Sequence, residues 1–210
     1  MKQLKQMKQQ SGFTLVELVT TMVIVGTLAA VAVPKFADAA KDARITKLES
    51  LRNSVITAAN SVHNTVLSKG RIDIVNCPGE DIDDTTKADN SQGADGTVCT
   101  ETGIANLVNG YPDAGTVGTQ VFAGTGIINV AGLTGKFRPT LAELNKAGFG
   151  VAVVGTAGTG MTFSVIGGSG TEGTVGAETN PTCSFTYTES ATAGVPPIVS
   201  ELTSTNTAGC

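Results

Sequence analysis

Tryptophan is absent from this chain, tyrosine occurs twice and histidine once. With His63 alone, no Ser/His/Asp or Cys/His arrangement for nucleophilic catalysis can be assembled. A lone histidine is also a poor metal ligand, and a surface or boundary position suits it better. The aromatics are sparse and irregularly spaced, so they offer no stacked path for electron conduction. Basic patches interleaved with aromatics are missing and the formal net charge is −4, which argues against binding nucleic acid through the general surface. There is no C-x-x-C pair to suggest zinc, and no Asn-x-Ser/Thr acceptor for a glycan.

Three motifs tempt and fail. Gly168-Ser169-Gly170-Thr171-Glu172-Gly173 matches G-x-G-x-x-G, but a dinucleotide site needs a helix to start there. Thr174-Val175-Gly176 and then Pro181 make a poor helix. Gly135-Lys136 is followed by Phe137, and Val130 stands where a phosphate loop needs glycine. Glu80, Asp81, Asp83, Asp84, Asp89 and Asp95 crowd one stretch, yet Thr86 replaces the glycine of a calcium loop, leaving a solvated acidic loop. No cofactor, no metal and no catalytic residue is expected.

What the chain does have is an apolar run from Phe13 to Val33 behind a short basic leader. As a helix this run is about 31 Å long, close to the hydrocarbon thickness of a bilayer. The leader, residues 1–12, carries Lys2, Lys5 and Lys8 and no acid, which fits a cytoplasmic N-terminus with the rest exported. One carboxylate, Glu17, lies inside the run. An acid in lipid is costly and calls for protonation or a cation partner. The Phe13 amine, one turn away, would be the nearest candidate if the chain began there.

Ser11-Gly12-Phe13-Thr14-Leu15-Val16-Glu17-Leu18 resembles the processing site of the type IV pilin family, and the likeness extends over residues 11–52. A secretory signal would be cut after its apolar core. The resemblance implies cleavage before it, between Gly12 and Phe13, by a membrane prepilin peptidase that then methylates the Phe13 amine. Glu17 is fifth from Phe13 and Pro34 twenty-second, the family's places for an assembly glutamate and a proline. Gly26 sits where many members have glycine, and the stretch from Gly26 to Pro34 is expected to be able to unwind in filaments. In a growing fibre, the amine of an incoming subunit could meet Glu17 of its neighbour.

Past Val33 charges of both signs appear, among them Lys35, Asp38, Lys41, Asp42, Arg44, Lys47, Glu49 and Arg52. Ile45, Leu48, Leu51, Val55, Ala58, Val62 and Val66 draw one helical stripe. One helix is predicted from about Thr14 to Ser68, ending at Gly70, with Pro34 bending or loosening it. The stripe needs a sheet to cover it.

From residue 70 to 210 the chain is rich in glycine and threonine and suits one β-rich domain. Strands are predicted over Val117–Phe122, Gly126–Val130, Gly150–Val154, Met161–Ile166, Ser184–Thr188 and Ile198–Leu202, in an antiparallel sheet. Residues 140–147 read as a brief helix with Thr140 and Glu143 as its capping box and Gly148 as its stop. Residues 71–112 lack a clear period and read as a long connection. The fold class is therefore α+β, with regions 1–12, 13–33, 34–69 and 70–210.

Cys77, Cys99, Cys183 and Cys210 form an even set beyond the apolar run, which favours disulfides in an exported domain. Three pairings are possible. Proximity in sequence and the pilin resemblance favour Cys77–Cys99 and Cys183–Cys210.

The resemblance implies a structural subunit and no enzyme. Its partners would be the membrane, then identical subunits in a helical filament, with a prepilin peptidase and an ATPase-driven inner-membrane assembly machine. Its place would be the inner membrane first and a surface pilus for adhesion or motility afterwards. Loss of the three leader lysines would take the net charge from −4 to −7. Asp42-Ala43-Arg44, Asn109-Gly110-Tyr111-Pro112, and Cys183 followed by Phe185-Thr186-Tyr187 resemble the mannose-sensitive haemagglutinin type of major pilin, with Gly-Thr steps between 115 and 176 departing from it. A type II secretion pseudopilin, a minor pilin and a membrane-anchored binding protein are the alternatives.

Overall fold

The computed structural model describes residues 13–69, 73–74, 88–89, 96–100, 103–115, 126–136, 139–154, 159–166 and 182–210. Helix α1 runs from Leu15 to Lys69, with Pro34 inside it. The chain divides into two units between Ala40 and Lys41, taken in turn below.

In the first unit every large apolar side chain from Phe13 to Phe36 is half or more exposed, from Leu18 at 50% to Phe13 at 91%. This is the reverse of a folding core, and it identifies a helix long and apolar enough to cross a membrane. Three threonines in it turn their hydroxyls back to the backbone. Thr20 donates to the Val16 carbonyl at 2.6 Å, Thr21 to Leu18 and Thr27 to Ile24, each at 2.9 Å. Their polar groups are thereby satisfied without water.

In the second unit, α1 buries the stripe expected of it. Leu48, Leu51, Val55, Ala58, Val62 and Val66 are all buried, and Ile45 packs at the margin. The upper part of the stripe, Leu48 to Ala59, joins the main core with Val151, Met161, Phe163, Val165, Phe185 and Tyr187. The lower part, Val62 and Val66, meets Val98, Ala105 and Leu107 in a second cluster. Each large apolar side chain so buried contributes about 1.5–3 kcal/mol of transfer free energy.

The main core is roofed by an antiparallel sheet of four strands in the order β6 (Phe149–Val154), β7 (Gly160–Val165), β8 (Ser184–Thr188) and β9 (Ile198–Val199). Its register sets Val151 opposite Phe163 and Phe163 opposite Phe185, whose rings stack at 5.2 Å. Alternation does the rest: Met161, Phe163 and Val165 share one face. Before β6 lies α3 (Leu141–Lys146), opened by the expected capping box. Thr140 accepts from the Glu143 amide at 3.2 Å, and Glu143 accepts from the Thr140 amide at 3.0 Å.

Two corrections concern the chain between. Gly126–Val130, read as a strand, is the short helix α2 (Ile127–Val130) behind Gly126. The Ile127 amide donates to the Asp113 carbonyl at 2.8 Å, a long-range bond that outweighs the β preference of two isoleucines. The stretch 71–112, read as a long loop, holds five short strands among its described residues: β1 (Asp73–Ile74), β2 (Ala88–Asp89), β3 (Thr97–Thr100), β4 (Gly103–Val108) and β5 (Tyr111–Pro112). β1 pairs with β2, and β3, β4 and β5 form a second antiparallel sheet. The strand expected at Ile198–Leu202 is shorter, and the one at Val117–Phe122 lies outside the described residues.

The β4–β5 turn is Asn109-Gly110, with φ of 55° and 83°. Positive φ at both central residues is the requirement of the tight hairpin turn that Asn-Gly meets. His63 locks it: its ring stacks on Tyr111 at 4.0 Å, and Nδ1 lies 2.9 Å from the Gly110 carbonyl oxygen. The boundary position expected of the histidine is thus occupied, with a half-buried ring.

Candidate functional site at the head of the helix

Glu17 lies in the first turn of α1, with Thr14 three residues before it. The Thr14 amide and hydroxyl both donate to Glu17 Oε2 at 2.9 Å, and the Glu17 amide donates back to Thr14 Oγ1 at 3.3 Å. This reciprocal pair is a capping box, satisfying two backbone donors that the helix start would otherwise leave open. It was legible in Thr14-x-x-Glu17 just ahead of an apolar run, a signal the sequence analysis drew only at Thr140. The negative carboxylate also faces the positive end of the helix dipole.

Both bonds that the carboxylate accepts from described residues go to Oε2, which leaves the other carboxylate oxygen open to a cation. Phe13, the residue before Thr14, is almost wholly exposed. Gly12 lies outside the described residues. Gly26 lies mid-helix with nothing within 4 Å of the place a Cβ would take. Pro34 leaves the Ala30 carbonyl without its helical donor. α1 runs unbroken through both residues.

Beyond the apolar run, α1 is tied to the β-rich part by three cations whose roles the sequence analysis did not see. Arg44 donates to the Cys210 carbonyl at 2.6 Å. Lys47 donates to the Ala147 and Gly148 carbonyls at 2.9 and 3.2 Å and lies 4.4 Å above the Phe149 ring. Its site is the C-terminal end of α3, where exposed carbonyls favour a cation. Partial burial draws the Lys47 pKa down from its ordinary value. Arg52 donates to the Ser200 and Val199 carbonyls at 2.8 and 3.4 Å. No sequence signal pointed to these contacts, because their partners lie 100–166 residues away.

Cys183 and Cys210 are bonded, both buried, with Cα atoms 4.8 Å apart. The C-terminal segment is held further by the Gly209 amide on the Thr182 carbonyl and the Ser184 amide on the Asn206 carbonyl, at 2.8 and 3.0 Å. Cys77 and the side chain of Cys99 lie outside the described residues.

Residues 7–33 match the family model of the prokaryotic N-terminal methylation motif. Two fimbrial proteins of Pseudomonas aeruginosa are each 42% identical to the chain over 55 residues, which is 26% of this chain and 36% of each relative. The chain thus spans about a third of the length of the curated relatives it matches. No solved structure matches it. The N-terminal part of the chain, with its exposed apolar helix, thus resembles the prokaryotic N-terminal methylation motif, and the chain shares a 55-residue stretch with fimbrial proteins.

Proposed function

We propose that this chain is a major subunit of a type IV pilus, of the mannose-sensitive haemagglutinin type, cut after Gly12 and methylated at Phe13. One observation carries the reading. A helix whose large apolar side chains from Phe13 to Phe36 are all half or more exposed holds a single carboxylate, Glu17, at its head. In the inner membrane, lipid covers that surface. In a fibre, the same surface of neighbouring subunits covers it, and the remaining oxygen of Glu17 receives the Phe13 amine of an adjacent copy. The pairing is made only in the assembled state, so it favours assembly and fixes how far one helix is shifted along the next. Gly26 and Pro34 let the helix loosen between them as it enters the bundle. The β-rich part, residues 70–210, coats the fibre, and Cys77–Cys99 is its second bridge.

The assembly partners are identical subunits, a prepilin peptidase and an ATPase-driven inner-membrane machine. The product is a surface filament serving adhesion or motility. Electron microscopy and mass spectrometry of fibres sheared from cells expressing the chain test this. Long fibres of a subunit that begins at N-methylated Phe13 are expected. A processed subunit that stays with the membrane and gives no fibres would shift the reading to a pseudopilin or a minor pilin. An uncut chain starting at Met1 would overturn it.

A further inference from the structure

Where the three-stranded and four-stranded sheets meet, β5 is tied to the end of β8 by three hydrogen bonds. Tyr187 Oη donates to the Pro112 carbonyl at 2.5 Å, the Ala114 amide to Glu189 Oε1 at 2.6 Å, and Asn109 Nδ2 to the Ser190 carbonyl at 2.9 Å. Asp113 sits inside this junction. Its amide donates to the Asn106 carbonyl at 2.9 Å and its carbonyl accepts from Ile127. Its carboxylate takes bonds from the Asn106 side chain and the Gly115 amide. Oδ1, however, is buried with no hydrogen-bond partner among the described residues. Gly126 covers it so closely that a Cβ there would strike Oδ1.

Among the described residues, the titratable groups around Asp113 are Glu189 beyond β8, Tyr187 of β8 and Tyr111 of β5. On α1, His63 stacks against Tyr111. Among the described residues, no lysine or arginine forms an ion pair with Asp113 or Glu189. Two carboxylates thus share a largely buried junction without a cation, an arrangement in which a proton is held strongly. Burial, and then the Glu189 charge, push Asp113 up to about 6. Burial and the same two carboxylates raise the Tyr187 phenol, which keeps it a donor to Pro112.

We propose that Asp113 and Glu189 form a proton-operated clasp between the two sheets, closed while Asp113 holds a proton and loosened when it leaves. A proton on the carboxyl removes one of the two like charges. Its loss leaves two negative groups that both act on Tyr187. Because the folded junction binds the proton more tightly than an opened one, the extra closure is complete below about pH 4. It is lost as the pH rises from about 4 to about 6, and is constant above that. This inference does not depend on the pilus reading.

The test is amide hydrogen exchange at Ala114 and Ile127 in the full chain in detergent, from pH 4.5 to 8, corrected for intrinsic exchange. Protection of both amides is expected to fall about tenfold or more between pH 4.5 and 6.5 and then level off. Asp113→Asn should abolish that slope, and Glu189→Gln should move it to lower pH. Flat protection in the native chain, or a full slope persisting in Asp113→Asn, would overturn the clasp. Should the variants fail to fold, the carboxyl carbon resonance of Asp113 in the native chain decides. A midpoint above about pH 5 sustains the proposal, and one at an ordinary aspartate value of about 3.9 overturns it.

Discussion

Replacing both Cys183 and Cys210 by alanine should weaken the second unit by an amount that can be worked out beforehand. The bridge joins residues 27 apart in sequence. Closing a loop of that size removes about 3.5 kcal/mol of chain entropy from the unfolded state at 25 °C. The same segment is also held by Arg44 on Cys210 and by the Gly209 and Ser184 backbone bonds, so the variant should fold natively and lose mainly the entropic term. In a chain of this size that is a fall in Tm of about 7–14 °C. The assay is thermal and urea unfolding of the full chain in detergent, with and without reductant. Reductant should bring the native chain down by at least as much as the double substitution does. If Cys77–Cys99 is the second bridge, reductant should lower the double variant again, by about 3 kcal/mol. A double variant within about 1 kcal/mol of native would refute the entropic argument for the first bridge. A double variant indifferent to reductant would refute the second bridge.

At the head of α1, Glu17→Gln keeps an acceptor for the Thr14 amide, whereas Glu17→Ala does not. Both should abolish fibres, while only Ala should reduce helical protection of the first turn by hydrogen exchange; fibres from Glu17→Gln would mean that the charge is not used. Leu48→Ala, at a fully buried place on the α1 stripe, should cost about 2–5 kcal/mol in urea unfolding. Gly126→Ala should destabilise too, since its Cβ would lie 2.7 Å from both the Asp113 carbonyl oxygen and the Gly115 nitrogen as well as against Oδ1; unchanged stability would show that the loop can give way. Asp113→Asn should stabilise the chain by about 3 kcal/mol above pH 7 and by nothing below pH 4, because the raised native pKa is a penalty that only the ionised form carries.

The α1 stripe was legible because its spacing is local: seven apolar residues at intervals of three and four describe a helix face whatever covers it. β7 and β8 were legible for the same reason, at a period of two. Thr140 and Glu143 announced α3 by chemistry within one turn. The strands in 71–112 were hidden by shortness and composition. β4 is Gly-Ile-Ala-Asn-Leu-Val, and only pairing with β3 and β5 makes it a strand. Ile127 and Ile128 pointed the wrong way, because a distant carbonyl at Asp113 fixed the turn before them. At the head of α1, Glu17 could be singled out from order alone, while the burial of Asp113 beside Glu189 could not. Those two are 76 positions apart, and nothing near either marks it as paired.

Arg44, Lys47 and Arg52 reach from successive turns of α1 to three separate pieces of backbone, at residue 210, residues 147–148 and residues 199–200. A shift of the helix by a single residue would turn these side chains by about 100° and detach all three at once. The rotational phase of α1 against the β-rich part is therefore set by charge as well as by the apolar stripe. A pull along the helix axis meets the three anchors together, in shear, and cannot unfasten them one after another. That geometry resists tearing better than the same bonds placed in a row at one end.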